Sequence, residues 1–331
     1  MGANWDRVAA SDGWKAPMQT FAGSAAHLQF LQAASSDAVQ PVVSIGNFDG
    51  VHMGHQDLLE TLVRRAKENG APSCVYTFEP PPRVVLAPQQ HQSRIMAWTD
   101  KVRLIQEMGV DRLVVERFSR AFAQHPPSWF AEEVLGRRLG SIGFVVGYDL
   151  RFGRARAGTV DLLRDVLPGV SVEQVPALRI GDDIVSSTRV RETVASGAVE
   201  EAARLLGRPH FVRGAVISGD RRGRKMGFPT ANLLLETELV PANGVYAVQV
   251  VVDSGARQPA VANLGVRPTV DGKTFVVEIH LLDFSGDLYG RQITVQFISR
   301  IRAEMKFDGI DALGRQIHKD IDVARAVLDK R

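Results

Sequence analysis

Short apolar runs of strand length alternate with segments of helical spacing through the first half of the chain. The apolar runs are Val42–Gly46, Cys74–Phe78, Leu113–Val115, Ile142–Val146 and Val170–Val175. The segments between them place apolar residues three and four positions apart, as an amphipathic helix does, and they span 55–67, 100–108, 128–139 and 161–167. This alternation with short connections predicts a parallel α/β sheet, and the right-handed crossover rule favours a doubly wound fold.

The pattern changes after a break at 207–209. Two helical stretches, 188–196 and 199–206, precede the break. Short β-rich runs separated by Gly, Pro and Asn follow it, at 211–217, 245–252, 260–263, 274–283 and 292–298. This spacing is typical of a small antiparallel barrel or sandwich. An amphipathic helix is predicted over 311–329.

These patterns divide the chain into three parts. Residues 1–40 have weak periodicity and form an N-terminal extension, with one short helix expected at 25–34. Residues 41–206 form the α/β domain, and residues 207–331 form the barrel domain with its C-terminal helix.

The bulk composition limits the classes of protein. Apolar residues make up 45% and charged residues 23%, which is typical of a globular chain. The net charge is 40 − 37 = +3 and is dispersed, which fits small polyanions such as nucleotides better than nucleic acid as the partner. The single cysteine, Cys74, excludes an intramolecular disulfide and is expected in the core. No apolar run of about 18 residues and no secretory signal are present, so we expect a cytoplasmic protein with no membrane partner.

The first chemically distinctive run is Gly46–His55, which follows the first predicted strand and opens the next helix. Ligands of open α/β sheets bind at the carboxyl ends of strands, and a helix N-terminus offers free N–H groups to a phosphate. Gly50 and Gly54 allow a close backbone approach. His52 and His55 share one face of a helical turn and can donate hydrogen bonds to a triphosphate. Two histidines at this spacing could instead be metal ligands or structural residues.

The second distinctive run is 219–232, which is rich in glycine and basic residues and suits a loop over phosphates. It lacks the Gly-Lys-Ser/Thr ending of a Walker A loop. Thr230 and Asn232 point the same way in an extended segment and offer hard oxygen ligands to Mg²⁺. Glu278 alternates with Val277 and its neighbours, so it projects from an apolar layer. Taken alone, these patterns also fit a solvated turn and a solvent-facing strand residue.

Several motifs resemble those of the bifunctional prokaryotic riboflavin kinase/FAD synthetase family. Gly-Asn-Phe-Asp-Gly-Val-His-Met-Gly-His at 46–55 resembles the adenylyltransferase signature shared by nucleotidylyltransferases and class I aminoacyl-tRNA synthetases. Gln56 and the Thr-Phe-Glu-Pro string at 77–80 narrow the match to this family. Gly-Tyr-Asp-Leu-Arg-Phe-Gly at 147–153 resembles its flavin- and nucleotide-binding loop, and Val-Ser-Ser-Thr-Arg-Val-Arg at 185–191 resembles its nucleotide loop. Alone, that Ser-Ser-Thr string would also fit a plain helix cap.

The second half of the chain carries the kinase motifs of the same family. Gly-Phe-Pro-Thr-Ala-Asn at 227–232 resembles its kinase signature, and the strings at 243–246, 263–269 and 287–290 also match. The resemblance covers about residues 41–329. One departure is Pro81, which stands where the family commonly has a histidine.

The resemblance implies a nucleotidylyltransferase-like first domain, a riboflavin-kinase-like barrel, and two reactions that use ATP and Mg²⁺: riboflavin to FMN, and FMN to FAD. The implied catalytic residues are His52, His55, Arg191 and Glu278, with Glu278 as the base that activates the riboflavin 5′-hydroxyl. The implied nucleotide and phosphate contacts are Gly46, Phe48, Asp49, Gly50, Gly54, Ser187, Thr188, Gly219, Arg224, Gly227 and Pro229. The implied flavin contacts are Asp149 and Phe152, and the implied Mg²⁺ ligands are Thr230 and Asn232.

Two alternatives stay open. The chain could be a riboflavin kinase alone, with adenylylation weakened by Pro81, or a non-catalytic flavin or nucleotide sensor. A sensor would be expected to lose both catalytic clusters, whereas the His-x-Gly-His and Pro-Thr-Ala-Asn strings are both intact. The sequence makes no prediction of the oligomeric state.

Overall fold

The computed structural model describes residues 18–33, 39–90, 92–218, 227–253, 255–269 and 272–330. The chain forms two compact units. The first extends to Gln92 and continues over Trp98–Val185, and the second combines Ser93–Ala97 with the residues from Ser186 onward. Within the described ranges, no helix has the length and apolar character needed to cross a bilayer.

The first unit is built on a six-stranded sheet in which every registered pair is parallel, as predicted. The strands are β1 (Gln19–Phe21), β2 (Val42–Ile45), β3 (Ser73–Phe78), β4 (Arg112–Glu116), β5 (Gly143–Gly147) and β6 (Ser171–Val175), and their order is β1-β4-β3-β2-β5-β6. Strand β1 was not predicted. Its three residues are mostly exposed and become a strand only by pairing with Arg112–Val114 of β4.

Most helices of the first unit lie close to their predicted positions, whereas the short helix at Pro82–Leu86 was not predicted. They are α1 (Ser24–Ala33), α2 (Met53–Glu68), α3 (Pro82–Leu86), α4 (Trp98–Glu107), α5 (Pro127–Trp129, continued as a π-helix over Phe130–Arg138) and α6 (Val160–Val166). Helix α2 buries Leu58, Leu59 and Leu62 against the sheet, which explains its apolar spacing. A small hairpin of β7 (Arg179–Ile180) and β8 (Asp183–Ile184) follows the sheet.

The order of the strands reverses between β2 and β5. The chain runs outward from β2 through β3 to β4, and then returns to place β5 on the other side of β2. Strands β2 and β5 share two registered pairs, at Val42–Gly143 and Val43–Phe144, whereas β2 pairs with β3 along its whole length. The two strands therefore part toward their carboxyl ends, where doubly wound sheets bind ligands.

The second unit contains a closed barrel in which all strand pairs are antiparallel, as predicted. Its strands are β9 (Phe211–Ile217), β10 (Ala231–Leu235), β11 (Gly244–Val252), β12 (Arg257–Thr269), β13 (Gly272–Leu281) and β14 (Gln292–Arg302), and their order is β10-β13-β12-β11-β14-β9. Pairing of β9 with β10 closes the barrel, which leaves no edge for association with other strands.

Helices complete the second unit. Helix α9 (Ile310–Leu328) packs Ala324 and Leu328 on the outside of the barrel. The Arg302 guanidinium donates hydrogen bonds to both oxygens of the buried Asp320 carboxylate, at 2.8–3.1 Å. The other two are α7 (Ser187–Ala195) and α8 (Val199–Leu206).

Cys74 is buried in β3, as expected. Burial raises the pKa of its thiol to about 12, so the reactive thiolate form is absent at neutral pH. The buried, protonated thiol is a poor nucleophile, which fits the expected place of Cys74 in the core.

Candidate active sites

The run Gly46–His55 forms a tight turn at the carboxyl end of β2. Phe48, Gly50 and Val51 all have positive φ angles, of 50°, 86° and 37°. Residues other than glycine rarely adopt this backbone conformation. Phe48 and Val51 are held in it because both are buried in the core. The Gln56 side chain closes the turn by donating to the Val51 carbonyl at 2.8 Å. The turn is therefore fixed by packing before any ligand binds.

The two histidines meet where α2 begins. The His52 Nδ1 atom accepts a hydrogen bond from the backbone N–H of His55 at 3.3 Å, and His52 is the N-cap of the helix. The two imidazole rings are stacked, with centroids 3.6 Å apart. Because Nδ1 of His52 is an acceptor, its proton lies on Nε2, which is then a hydrogen-bond donor. The helix cap thereby sets the tautomer that suits an anionic ligand.

Gly54 lies directly over the His52 ring. A Cβ atom at this position would be 3.4 Å from two ring atoms and 3.6 Å from the Val185 carbonyl oxygen. These are ordinary van der Waals distances, so a methyl group would fit, whereas a longer side chain would meet the imidazole ring. Among the described residues, no group of three or more His, Cys, Asp and Glu side chains could hold a metal ion, which gives no support to the metal-ligand alternative for His52 and His55.

Lys101 supports this turn and was missed by the sequence analysis. It is buried in α4, its Nζ atom donates to the Asn47 carbonyl at 3.1 Å, and it lies 4.6 Å from the centroid of the Trp98 ring. The sequence did contain a signal, because Lys101 lies on the same helical stripe as the buried Leu104 and Ile105. A lysine on an apolar stripe is expected to have a specific partner.

The two predicted flavin contacts follow β5 and are placed differently. Asp149 is exposed, with its Oδ1 atom turned toward Gly147. Phe152 is buried, with its ring centroid 5.6 Å from that of Phe130. Strand β5 lies beside β2, so both residues leave the sheet at the same edge as the Gly46–His55 turn.

An aromatic cluster at this edge was also missed. It comprises Phe78 at the end of β3 together with Phe118, Phe122, Trp129 and Phe130, and its neighbouring rings have centroids 5.5–6.3 Å apart. The His125 imidazole stacks on Trp129 at 3.6 Å. Most of these rings are only partly buried. The signal in the sequence was four aromatic residues within 118–130.

From Ser186 onward, the predicted nucleotide loop belongs to the second unit. Ser186 is the N-cap of α7, and its side chain accepts from the Arg189 N–H at 3.3 Å. The helix-cap alternative therefore applies to Ser186, and Ser187 and Thr188 occupy the first turn of the helix. Arg191 donates from Nε to the Ser93 carbonyl at 2.9 Å.

Glu278 lies between two asparagines on the barrel. Asn232 of β10 is its cross-strand partner on one side, and Asn263 of β12 is its partner on the other. Cross-strand partners point to the same face with Cβ atoms roughly 5 Å apart. Val277 and Ile279 point into the barrel core, so all three polar side chains lie on its outer face. The register explains why Asn263, which no local pattern marked, belongs to this site.

The segment before β10 is held by contacts from two elements. His280, two positions after Glu278, donates from Nδ1 to the Pro229 carbonyl at 2.8 Å. The Phe228 ring lies edge-on between His280 and His318 of α9, at 5.8 and 4.9 Å between centroids. Thr230 follows this held segment, one residue before β10 begins.

Two predicted phosphate contacts, Gly219 and Arg224, lie outside the described residues. The third glycine of that run, Gly227, has a φ angle of 86° and leads into Phe228.

Comparison with known proteins gives consistent matches along the chain. A family model described as FAD synthetase matches residues 34–189, and one described as riboflavin kinase matches residues 206–328. A protein of Haemophilus influenzae named bifunctional riboflavin kinase/FMN adenylyltransferase is 38% identical over 87% of this chain and 94% of its own length. A protein of Pseudomonas fluorescens with the same name is 42% identical over 86% and 92%.

A solved structure from Streptococcus pneumoniae, described as a macrolide-efflux protein, superposes on this fold with a TM-score of 0.82. It is 31% identical in sequence, and the match covers 94% of this chain and 99% of that one. The similarity therefore extends over both units.

Proposed function

This chain belongs to the family of bifunctional riboflavin kinase/FMN adenylyltransferases, and we propose that each activity is carried by one of the two sites described above. One reaction transfers the γ-phosphoryl group of ATP to riboflavin and gives FMN. The other transfers the adenylyl group of ATP to FMN and gives FAD with pyrophosphate. The observation that carries the proposal is that each of the two described sites brings together the residue types that one of these reactions needs.

We assign the kinase reaction to Glu278 and its two asparagine neighbours. Glu278 removes the proton of the riboflavin 5′-hydroxyl, whose oxygen then bonds to the γ-phosphorus as the bond to the β-phosphate oxygen breaks. Asn232 and Asn263 are its cross-strand neighbours and flank the carboxylate on the same face of the barrel.

The residues around Glu278 fit Mg²⁺. The Thr230 hydroxyl and the Asn232 amide oxygen are hard oxygen donors, which Mg²⁺ prefers, and they lie two positions apart in an extended segment. We propose that they hold the ion, which would neutralise phosphate charge when bound. His280 fixes the Pro229 carbonyl immediately before Thr230 and thereby limits where the ligands can move.

We assign the adenylylation reaction to the Gly46–His55 turn. The FMN phosphate oxygen bonds to the α-phosphorus of ATP, and the bond to the β-phosphate breaks to release pyrophosphate. That phosphate is already ionised, so no strong base is required. His52 and His55 donate hydrogen bonds to the phosphates as negative charge develops, with the N–H groups at the start of α2. We also propose phosphate-binding roles for Ser187, Thr188 and Arg191, which belong to the second unit.

We propose that the flavin ring lies on the aromatic cluster at the carboxyl edge of the sheet. Planar aromatic surfaces suit a planar ring, and these side chains are only partly covered by the protein. Asp149 would provide a polar contact from β5, and Phe152 would support the cluster from below through Phe130.

We further propose 41–206 as the adenylyltransferase domain, 207–331 as the kinase domain and 1–40 as an extension. The two compact units divide after Val185. The proposed boundary between the two catalytic domains, at 206/207, therefore lies about twenty residues beyond the boundary between the compact units. We propose the cytoplasm as the location. We also propose small molecules rather than nucleic acid as partners, because the small positive charge is dispersed along the chain.

The proposal is tested by chromatographic analysis of the products that the purified chain forms from riboflavin, ATP and Mg²⁺. FMN followed by FAD is the expected result. FMN alone would favour the kinase-only alternative and would direct attention to Pro81, the residue that precedes α3. No flavin product would favour the sensor alternative.

A further inference from the structure

Helix α7 is fastened to the barrel, although its residues are assigned to adenylylation. Val199, at the start of the next helix, is fully buried in the core cluster of the barrel. The Glu200 carboxylate accepts from the Ser299 hydroxyl at 2.5 Å and from the Arg300 N–H at 3.3 Å. The Arg300 guanidinium donates to the Ser196 carbonyl at 3.2 Å. The C-terminal end of α7 is therefore anchored on β14.

Arg191 is fixed separately, through the short segment Ser93–Ala97, which belongs to the same compact unit as the barrel. Its Nε atom donates to the Ser93 carbonyl at 2.9 Å. A bond at Nε removes rotational freedom from a side chain that otherwise samples many rotamers, and it sets the plane in which the guanidinium presents its terminal N–H groups.

The Ser93 carbonyl is itself held from the barrel. The neighbouring residue Arg94 is bound to the loop between β10 and β11 at three points. The backbone N–H of Arg94 donates to the Glu238 carboxylate at 2.9 Å, and its Nε atom lies 3.6 Å from the other carboxylate oxygen. The Arg94 carbonyl accepts from the Leu239 N–H at 3.2 Å. These contacts form a continuous path from the barrel loop to the guanidinium of Arg191.

We propose that Arg94 and Glu238 are positioning residues for the adenylylation reaction, because together they hold the Ser93 carbonyl that orients Arg191. The inference rests on the proposed phosphate-binding role of Arg191. Donors that are already oriented need no reorganisation as charge develops on a phosphate, whereas small errors of placement slow the reaction. The loop between β10 and β11 thereby orients the guanidinium to which the proposed function assigns phosphate binding.

The test is a double-mutant cycle on FAD formation from FMN and ATP. Glu238→Ala removes both carboxylate contacts to Arg94. It is expected to lower kcat/KM for ATP about fivefold, which corresponds to the free energy that a partly exposed ion pair contributes. Glu238→Gln keeps one acceptor oxygen for the Arg94 N–H and is expected to restore most of the rate. In an Arg191→Ala background, Glu238→Ala is expected to have no further effect, since the guanidinium it orients is gone.

Two controls separate positioning from loss of structure. Glu236→Ala removes the same charge from the same loop, where its carboxylate accepts from Gln292, and it is expected to leave adenylylation unchanged. Riboflavin phosphorylation by each variant reports whether the barrel remains folded.

Three results would overturn the inference in distinguishable ways. If Glu238→Ala leaves adenylylation intact while Arg191→Ala lowers it, the positioning path is wrong and the role of Arg191 stands. If the two losses are additive in the double variant, Glu238 does not act through Arg191. If Arg191→Ala has no effect, the proposed phosphate contact fails and the positioning role fails with it.

Discussion

At the scale of single residues, the adenylylation turn depends on side chains that lie behind it. Phe48 and Val51 are buried with positive φ angles. Lys101 donates a hydrogen bond to the carbonyl of Asn47, which lies between the end of β2 and Phe48. A hydrogen bond from a charged donor contributes about 1–2 kcal/mol, so such a contact affects the shape of the turn even though it touches no substrate.

We predict that Lys101→Met lowers FAD formation about tenfold. Methionine keeps the length and packing of the side chain but removes the donor to the Asn47 carbonyl, at a cost of roughly 1–2 kcal/mol. The measurement is the rate of FAD formation from FMN. Lys67→Met, at an exposed position of α2, is the matched control, and an equal loss in both variants would contradict the role assigned to Lys101.

The contact between His280 and Pro229 gives a second prediction. His280→Ala should raise the Mg²⁺ concentration at which riboflavin phosphorylation is half-maximal, by about fivefold for one lost hydrogen bond. His280→Asn places an amide N–H near the position of Nδ1 and should restore the original dependence. A Mg²⁺ titration of kinase activity makes the measurement, and an unchanged midpoint in the alanine variant would rule out the positioning role.

At the scale of elements, a buried ion pair adds to the apolar packing that holds helix α9 on the barrel. Asp320 is almost fully buried, and Arg302 contacts both of its carboxylate oxygens. The same helix carries His318, which packs against Phe228 beside the proposed Mg²⁺ ligands. The position of α9 therefore matters for stability and for the kinase site together.

We predict that Asp320→Ala lowers the free energy of unfolding of the barrel by roughly 3 kcal/mol, because it leaves the Arg302 charge without its buried partner. Asp322→Ala, at an exposed position two residues further along α9, should change it little. Denaturant unfolding followed by loss of kinase activity measures both. Similar values for the two variants would show that the ion pair does not hold the helix.

The elements themselves were largely predictable because apolar spacing follows the period of each structure. The barrel strands and the parallel sheet emerged from this spacing, whereas β1 and β10 did not. Strand β1 is short and exposed, and the Gly-Phe-Pro-Thr string before β10 is typical of a loop. The partners of Glu278 and Lys101 could not be predicted, since they depend on strand register and on packing between distant segments.

At the scale of the whole molecule, buried histidines make stability depend on pH. Burial lowers the pKa of His210 to about 4, with a smaller opposing effect from its bond to the Leu239 carbonyl. Burial also lowers the pKa of His27 to about 4. The unfolded chain binds these protons below about pH 6.5 and the folded chain does not, so stability falls as the pH falls from about 6.5 to about 4.

We predict that His210→Gln reduces this pH dependence. Glutamine offers an N–H near the position of Nε2 for the Leu239 carbonyl but does not titrate. When the pH is lowered from about 7 to about 5, the unfolding free energy of the His210→Gln variant should fall by about 2 kcal/mol less than that of the unaltered chain. Urea unfolding at the two pH values provides the measurement, and equal losses in both proteins would contradict the assignment.

The central claim is that two separate sites in one chain carry the two reactions, and measurement of both rates in two variants tests it most directly. His55→Ala should lower FAD formation from FMN by well over tenfold and leave riboflavin phosphorylation near normal, because it removes a donor to the phosphates of one site alone. Glu278→Ala should lower phosphorylation and leave adenylylation near normal. If either substitution abolished both rates in a folded protein, the assignment of two independent sites would be wrong.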